Sequence, residues 1–586
     1  MRRHHILILC AALLVTLPLW VGGCSCGHDF DFHLQSWLDA VRQMQHGTLL
    51  PRWIFSGAYN AGEPRFVFYP PLSWMLGALL TMLFPITSVP AIFTLIAVAA
   101  AGLAMYRLAS EFAPDAAALL ATALYMANPY MLFTAFERTA YAELLAAAWM
   151  PLLLLAVLRK RPTVRGIALP VALLWLTNAP AAVMGSYALA LIFVVRVVLA
   201  LAKKHPGDAG RLAATAAGGT ALGLALPAFY LLPAAYEQRF VQIAMATLPN
   251  MRIQDNFLFG HTGDGPHDDV LHTASLIAVT LLIAGCGVLA ALWVRRNRPR
   301  NARDNGVVGE ESESVLAILA LLTLGIGAML TPLSAPLWRH LPELAFLQFP
   351  WRLLAVLASV LGLSIALLFR NARIDERMAM PLALVLVAAL TFAGIDHFRQ
   401  GCDDTDLPAV RSQMFTTHQG VEPTDESTPL GADNDALRLN DPPYWLAADA
   451  TAYAPGTTPA PTASAAQAAA FTNATPAATD TPPPSAEPEA FTVTAPGAGF
   501  LILNLRDYPR WAITLDDPNS LNRLTPAHVH RDDGLVALRL WNGGTYTVHV
   551  AWQPGWDERI GLALSLTGLG VYGALIKLSR SRRIEV

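Results

Sequence analysis

The sequence predicts a polytopic α-helical membrane protein with a small outward-facing β-sandwich near its C-terminus. Three observations predict it. Of 586 residues, 54% are hydrophobic and 14% charged, where an ordinary soluble domain carries roughly 25% charge. Apolar stretches long enough to cross a bilayer, about 20 residues each, recur along most of the chain. Near the C-terminus this pattern gives way to a Pro/Ala/Thr-rich stretch, and then to short runs of alternating apolar and polar residues. The same numbers exclude other classes. Forty-three acids against forty bases give a net charge of -3, which no general nucleic-acid binder would show. Five cysteines make no disulfide scaffold and show no zinc spacing.

Taken in order, the expected spans are 6–22, 88–107, 115–135, 140–158, 166–179, 181–202, 212–236, 271–294, 314–331, 351–369, 379–396 and 559–576. The first follows Arg2 and Arg3 and also has the look of a signal peptide, with Val-Gly-Gly-Cys at 21–24. A further apolar stretch, 70–86, is short and opens on Tyr69-Pro70-Pro71. Basic clusters decide its status. Arg159-Lys160-Arg161, Lys203-Lys204, Arg295-Arg296, Arg370 with Arg377, and the tail from Lys577 to Arg583 all fall on the side of Arg2 only if 70–86 is interfacial or re-entrant. That reading gives about 12 spans with both termini cytoplasmic. The outward segments are then 23–87, 136–139, 237–270, 332–350 and 397–556.

The expected divisions are a transmembrane domain over 1–396, an outer segment over 397–454 and a Pro/Ala/Thr-rich linker over 455–489. An outer β-domain over 490–556 and a last span with a basic tail over 557–586 complete the chain. The β-runs are 491–494, 500–505, 511–515, 535–541 and 546–552, with turns at Asp516-Asp517-Pro518-Asn519 and Asn542-Gly543-Gly544. A structural role suits this domain. Carbohydrate stacking on Tyr508, Trp511 and Trp541 is the functional alternative.

Charges that remain on the outer side need a reason. The first outer loop reads Gly27-His28-Asp29-Phe30-Asp31-Phe32-His33-Leu34. A helix to about Gln45 places Phe30, Leu34, Trp37, Val41 and Met44 on one face. It suits an amphipathic helix in the membrane interface, with its Trp at headgroup depth and Asp29, His33, Arg42 and His46 off the apolar face. Asp29 and His33, four apart, can share a proton, bind a divalent ion or position a hydroxyl. Glu143 lies inside the next helix, where a carboxylate is paired or functional, with Arg138 as one candidate partner. Arg352 heads an outward span end, where a guanidinium can hold a lipid phosphate or simply snorkel. His261, Asp264, His267, Asp268, Asp269 and His272 form an acid/His-rich outer loop of irregular spacing, open to metal binding or to plain solvation. Cys24, Cys26 and Cys402 all fall outside, so that one can pair with another, with no choice among them in the sequence.

The strings Gly27-His28-Asp29-x-x-x-His33-Leu34, Pro51-x-Trp53, Gly62-x-Pro64 and Phe68-Tyr69-Pro70-Pro71-Leu72 resemble bacterial membrane proteins of the GT-C glycosyltransferase superfamily. So do Arg138-x-x-Tyr141-Ala142-Glu143, Gln348-Phe349-Pro350-Trp351-Arg352 and Tyr508-Pro509-x-Trp511. More narrowly they resemble the group labelled "6-pyruvoyl-tetrahydropterin synthase-related domain" membrane proteins, a label that implies no pterin synthase chemistry here. The resemblance implies a bacterial inner-membrane enzyme that moves a sugar from a polyprenyl-phosphate donor to a glycan, lipid or protein acceptor. It places the catalytic acid at Asp29, with Asp31 as the nearby alternative and His33 orienting it. It makes Arg138, Glu143, Tyr69 and Arg352 substrate-binding and allows a divalent cation, Mg or Mn. Asp29 and Asp31 are separated by Phe30 and would point about 200° apart on a helix, a departure from the adjacent acids of many superfamily members. A transporter, or a structural cell-envelope assembly protein without transferase activity, is the alternative. The absence of an internal repeat counts against the transporter.

Overall fold

The computed structural model describes residues 2–297, 310–372, 374–460, 490–517 and 523–584. The expected linker lies, from residue 461 on, outside the described residues. Among them, eight helices are long and apolar enough to cross a membrane, or up to eleven if three bent pairs each count as one span. The chain is a multi-pass membrane protein. Its bundle begins with α1 (Arg2–Gly22), α2 (Phe30–Gln45), α3 (Pro71–Leu83), α4 (Val89–Phe112) and α5 (Asp115–Met126). After a π-helical turn at Phe133–Glu137 come the Tyr141–Leu158 span, Val164–Thr177, Ala179–Ala202, Pro206–Ala225 and Ala228–Glu237. Gly265–Asn297, Glu310–Met329, Leu354–Phe369, Glu376–Phe398 and the terminal Trp556–Ile584 complete it.

Twelve straight spans are not what the described residues show. The 115–135 stretch bends by 41° at Asn128-Pro129, where proline removes a helix donor. The 212–236 stretch bends by 78° around Pro227, so the crossing helix is Pro206–Ala225 and the remainder runs across its end. The 314–331 helix is followed, after a 95° bend, by a short helix at Ala335–His340. Val164–Thr177 has 14 residues, about 21 Å at 1.5 Å per residue, less than the ~30 Å of a hydrocarbon core. Helix α3 has 13 residues and is shorter still. Leu79, Met82, Leu83 and Phe84 near its end are exposed, as a helix lying in an interface would leave them.

Contacts between helix ends sort into two sets. One joins His4, Tyr106, Asp115 and Glu376, Glu111 with Arg159, and Arg165 with Ser579. The other joins Cys26 with Cys402 in a disulfide, Arg52 with Glu558, and Glu237 with Arg510.

The β-domain is a sandwich of two antiparallel four-stranded sheets. In chain order its strands are β1 (Arg438–Leu439), β2 (Tyr444–Ala447), β3 (Thr458–Pro459), β4 (Ala490–Ala495), β5 (Gly499–Arg506), β6 (Trp511–Asp516), β7 (Arg523–Leu524), β8 (His528–Val529), β9 (Leu535–Leu540) and β10 (Gly544–Trp552). The sheets have the orders β4-β10-β6-β7 and β2-β5-β9-β8, and β1 pairs with β3 apart from them. Alternation fixes the faces: Tyr546, Val548 and Val550 turn inward to meet Leu501, Leu503, Val536 and Leu538 of the other sheet. The sandwich reaches back across the linker for β2, which pairs with β5 and which the sequence pattern leaves in the preceding outer segment. Ile502 and Ala537, on the opposite face of their strands, pack on Ala58, Tyr59 and Ala61 of the first outer loop. The β-domain therefore clamps that loop rather than standing apart from it.

Candidate functional site

Glycine-27 sets the position of the first outer loop. A Cβ there would lie 2.0 Å from the carbonyl oxygen of Glu137, so only glycine lets this backbone rest on the Phe133–Glu137 turn. Two residues on, the Asp29 amide donates to the Arg138 carbonyl at 2.9 Å. The Gly-His-Asp string is thus a docking device. It hangs the Asp29 side chain beside the break that carries Arg138.

Helix α2 then leaves this point, but not as an interfacial helix. Trp37 is fully buried and stacks on Phe93 at 5.4 Å. Gly77 of α3 allows the approach, since a Cβ there would meet the Trp37 ring. His33, expected off the apolar face, is buried as well, and so is Asp39. Asp39 accepts from Gln43 at 2.7 Å and from the Ser56 amide and hydroxyl at 2.9 and 2.7 Å. Helix α2 is enclosed on both faces because the 397–430 segment folds over it, as the Arg42 guanidinium 4.7 Å above the Phe415 ring illustrates. The headgroup position of Trp37 is corrected accordingly.

Asp29, His33, Tyr69, Arg138, Glu143 and Arg352 all line one cavity of about 620 Å³. Its apolar wall includes Trp175, Leu224, Leu231 and Phe346, and its polar end Arg65, Thr424, Glu426 and Ser427. Arg138 is buried and bridges two carboxylates, Glu143 at 2.7 Å and Asp29 at 3.5 Å. The Tyr130 hydroxyl donates to Glu143, and Arg352 Nε lies 3.9 Å from the same carboxylate. The Arg138 guanidinium sits 4.8 Å over the Trp351 ring. Glu143 is therefore a fully paired charge, as a buried carboxylate must be. Asp29 is different, since its side chain is 41% exposed. Arg352 donates through Nη1 to Leu347 and Gln348, while its Nε has no hydrogen-bond partner among the described residues.

His33 is held among the Phe32, Trp37, Tyr69 and Tyr141 rings at 5.3–6.3 Å. Burial pushes its pKa down to about 4, so the ring is neutral near pH 7, and its Nδ1 has no hydrogen-bond partner among the described residues. Burial also lowers the His28 pKa and raises that of the Tyr69 phenol, which stays protonated.

Asp31 is not among the residues that line the cavity. It pairs with Arg411, which also holds Asp406 at 2.8 Å; burial raises the Asp31 pKa and Arg411 opposes this. The two acids of the loop thus serve different neighbours, as their separation by Phe30 implied. Among the described residues Asp29 joins no group of three ligand-type side chains, and its charged contact is Arg138. This donor set does not fit a divalent ion. Groups of three ligand-type side chains do occur elsewhere, at Cys24, Cys26 and Cys402 and at His4, Asp115 and Glu376. The acid/His-rich loop at 261–272 does not assemble such a group among the described residues: His261 pairs with Asp268 at 2.5 Å and His267 with Asn256 at 2.8 Å. Of the stacking candidates, Tyr508 is buried in the sandwich core, Trp511 packs against Trp53 and Trp552, and Trp541 is exposed.

Some cavity residues escape a reading of the sequence. Arg65 pairs with Glu63 at 2.8 Å and donates to Thr424 at 2.9 Å, 359 positions away. Thr424, Glu426 and Ser427 arrive on a segment without periodicity. The signal available for Arg65 was its place in the Gly62-Glu63-Pro64 turn.

No protein-family model matches the chain, so the narrower membrane-protein group that the motifs resemble is not shown, and no curated protein matches it. Among solved structures it is similar to the arabinofuranosyltransferase AftD from Mycobacteria, with a TM-score of 0.40 and 16% identity over 67% of this chain and 27% of that one. It is also similar to an Archaeoglobus fulgidus oligosaccharyltransferase solved with Zn and sulfate, with a TM-score of 0.39 and 17% identity over 68% and 54%. A third is the oligosaccharyltransferase AglB from Archaeoglobus fulgidus with an inhibitory peptide and a dolichol-phosphate, with a TM-score of 0.35 and 16% identity over 73% and 61%. The chain spans less than two thirds of the length of each.

Proposed function

We propose that the chain is a membrane glycosyltransferase that moves a sugar from a polyprenyl-phosphate donor to a hydroxyl-bearing acceptor on the outer face of a bacterial inner membrane. The observation that carries this reading is the meeting, in one largely apolar cavity, of an accessible carboxylate, Asp29, and the Arg352 guanidinium. Transfer forms a bond from the acceptor oxygen to the anomeric carbon and breaks the bond from that carbon to the phosphate oxygen. The acceptor proton goes to Asp29, and the electron pair of the broken bond leaves with the lipid phosphate. Arg352 takes up the charge that grows on this phosphate, and Arg138, locked by Glu143, holds Asp29 in place. Neutral His33 and protonated Tyr69 form the wall against which the acceptor is oriented. The apolar side of the cavity suits the first isoprene units of a lipid carrier.

The test is the purified protein in lipid nanodiscs, supplied with a panel of polyprenyl-phosphate-linked sugars, with release of polyprenyl phosphate as the readout. Turnover of at least one donor is expected. Binding of such donors without consumption would favour the transporter or assembly reading and overturn this one.

A further inference from the structure

On the side of the bundle away from the cavity, three helix ends meet. We propose that His4, Glu376 and Asp115 form a divalent transition-metal site of the zinc type, which fastens α1, α5 and the Glu376–Phe398 helix together. Each residue brings a ligand atom within 4.8 Å of the other two. The argument rests on the His4 ring, whose side chain is only 9% exposed. Its Nδ1 lies 2.7 Å from the Tyr106 hydroxyl, and that hydroxyl donates its one proton to Asp115 at 2.8 Å. Tyr106 can then only accept from the ring, so Nδ1 carries the hydrogen.

The other nitrogen of a neutral ring is a lone pair. Here Nε2 faces Glu376 Oε2 at 3.6 Å, beyond hydrogen-bond range. Two acceptors turned toward each other repel unless a cation lies between them. A zinc-type ion with ligand bonds of about 2.0–2.2 Å at near-tetrahedral angles holds two such atoms about 3.3–3.6 Å apart. A doubly protonated ring would draw Glu376 in to about 2.7–2.9 Å, and the Glu376 side chain is 55% exposed. The chain from Nδ1 through Tyr106 to Asp115 is the kind of outer support that fixes a ligating imidazole's tautomer. The Asp115 oxygen not held by Tyr106, 3.8 Å from Nδ1, adds negative charge beside the ion. Imidazole with carboxylate suits zinc and its neighbours rather than magnesium or calcium.

The experiment uses the full-length protein in detergent, without a polyhistidine tag and with Cys24→Ser to remove a competing thiol. Zinc chloride is the probe, read by metal content after dialysis and by thermal unfolding. The expected result is one equivalent of zinc held with micromolar affinity, and a melting temperature that rises with zinc. Both should be lost in Glu376→Gln, an exposed position that leaves folding intact, and in His4→Gln. Tyr106→Phe should weaken binding about 10–100-fold. Equal zinc content and equal thermal response in Glu376→Gln and its parent would overturn the proposal. So would a parent whose metal content and melting temperature do not respond to zinc.

Discussion

Two buried networks in this molecule are built from the same parts. At the cavity, Arg138 forks between Glu143 and Asp29, and Tyr130 donates to Glu143. At the join of bundle and sandwich, Arg510 forks between Glu237 and Asp557, and Tyr508 donates to Glu237 at 2.7 Å. The second network is closed: the side chains of both its acids are fully buried and Arg510 is 12% exposed. The first is open at Asp29 and adds a second guanidinium, Arg352, whose Nε lies 3.9 Å from Glu143. An arginine between two acids therefore says little about function. What separates a clasp from a site is whether one acid still faces space that a substrate can enter.

The comparison breaks or holds first at Asp29. Replacing it by Asn keeps its size and removes its charge. Transfer measured as donor turnover should fall by about 10²–10⁴-fold, the usual share of a general base, with the melting temperature nearly unchanged. Turnover within a few-fold of the parent would remove Asp29 from the chemistry. The mirror experiment is Arg510→Ala. Taking the cation from a closed pair leaves buried carboxylates uncompensated, which costs about 3–5 kcal/mol. Denaturation should show that loss, while the folded fraction retains its turnover number. A loss of turnover per folded molecule would mean that the two networks are not separable.

Arg352 sharpens the distinction at a smaller scale. Arg352→Gln should lower kcat by about 10²–10³-fold, as removal of one charge-stabilising donor does, and Arg352→Lys should recover part of it, since charge returns without the planar fork. Equal losses in the two variants would point to packing over Phe349, 5.0 Å from the guanidinium, rather than to phosphate charge. The start of a helix near Asp29 was readable, as was Arg138 as a partner for Glu143. The spans were readable because apolar length and basic loops are local signals. The bends at Pro129 and Pro227 were readable only as proline, not as angles. Burial of His33 and Trp37 was not readable at all: the rings that enclose them, Tyr69, Phe93 and Tyr141, come from later elements, while Arg411 and Phe415, some 370 positions on, cover Asp31 and Arg42. The same holds for the partnership of Cys26 with Cys402 rather than with Cys24.

His33 gives the smallest effect and the one most specific to an open site. Its pKa is about 4 in the folded protein and about 6.5 in an unfolded chain. Above pH 6.5 both states hold it neutral and it contributes no pH dependence. As pH falls from 6.5 toward 4, the unfolded state takes up a proton that the folded state refuses, so stability declines with falling pH. The decline amounts to about 3 kcal/mol at 1.36 kcal/mol per pH unit and levels off below pH 4, where the folded ring protonates too. Urea denaturation between pH 4 and 7 should show this slope. His33→Gln should flatten it. A slope that survives His33→Gln would assign the acid sensitivity to another group. A slope that disappears would mark His33 as a residue the fold keeps neutral at a cost to its own acid stability. Such a cost is expected at a ring that faces a substrate cavity and has no use in a closed clasp.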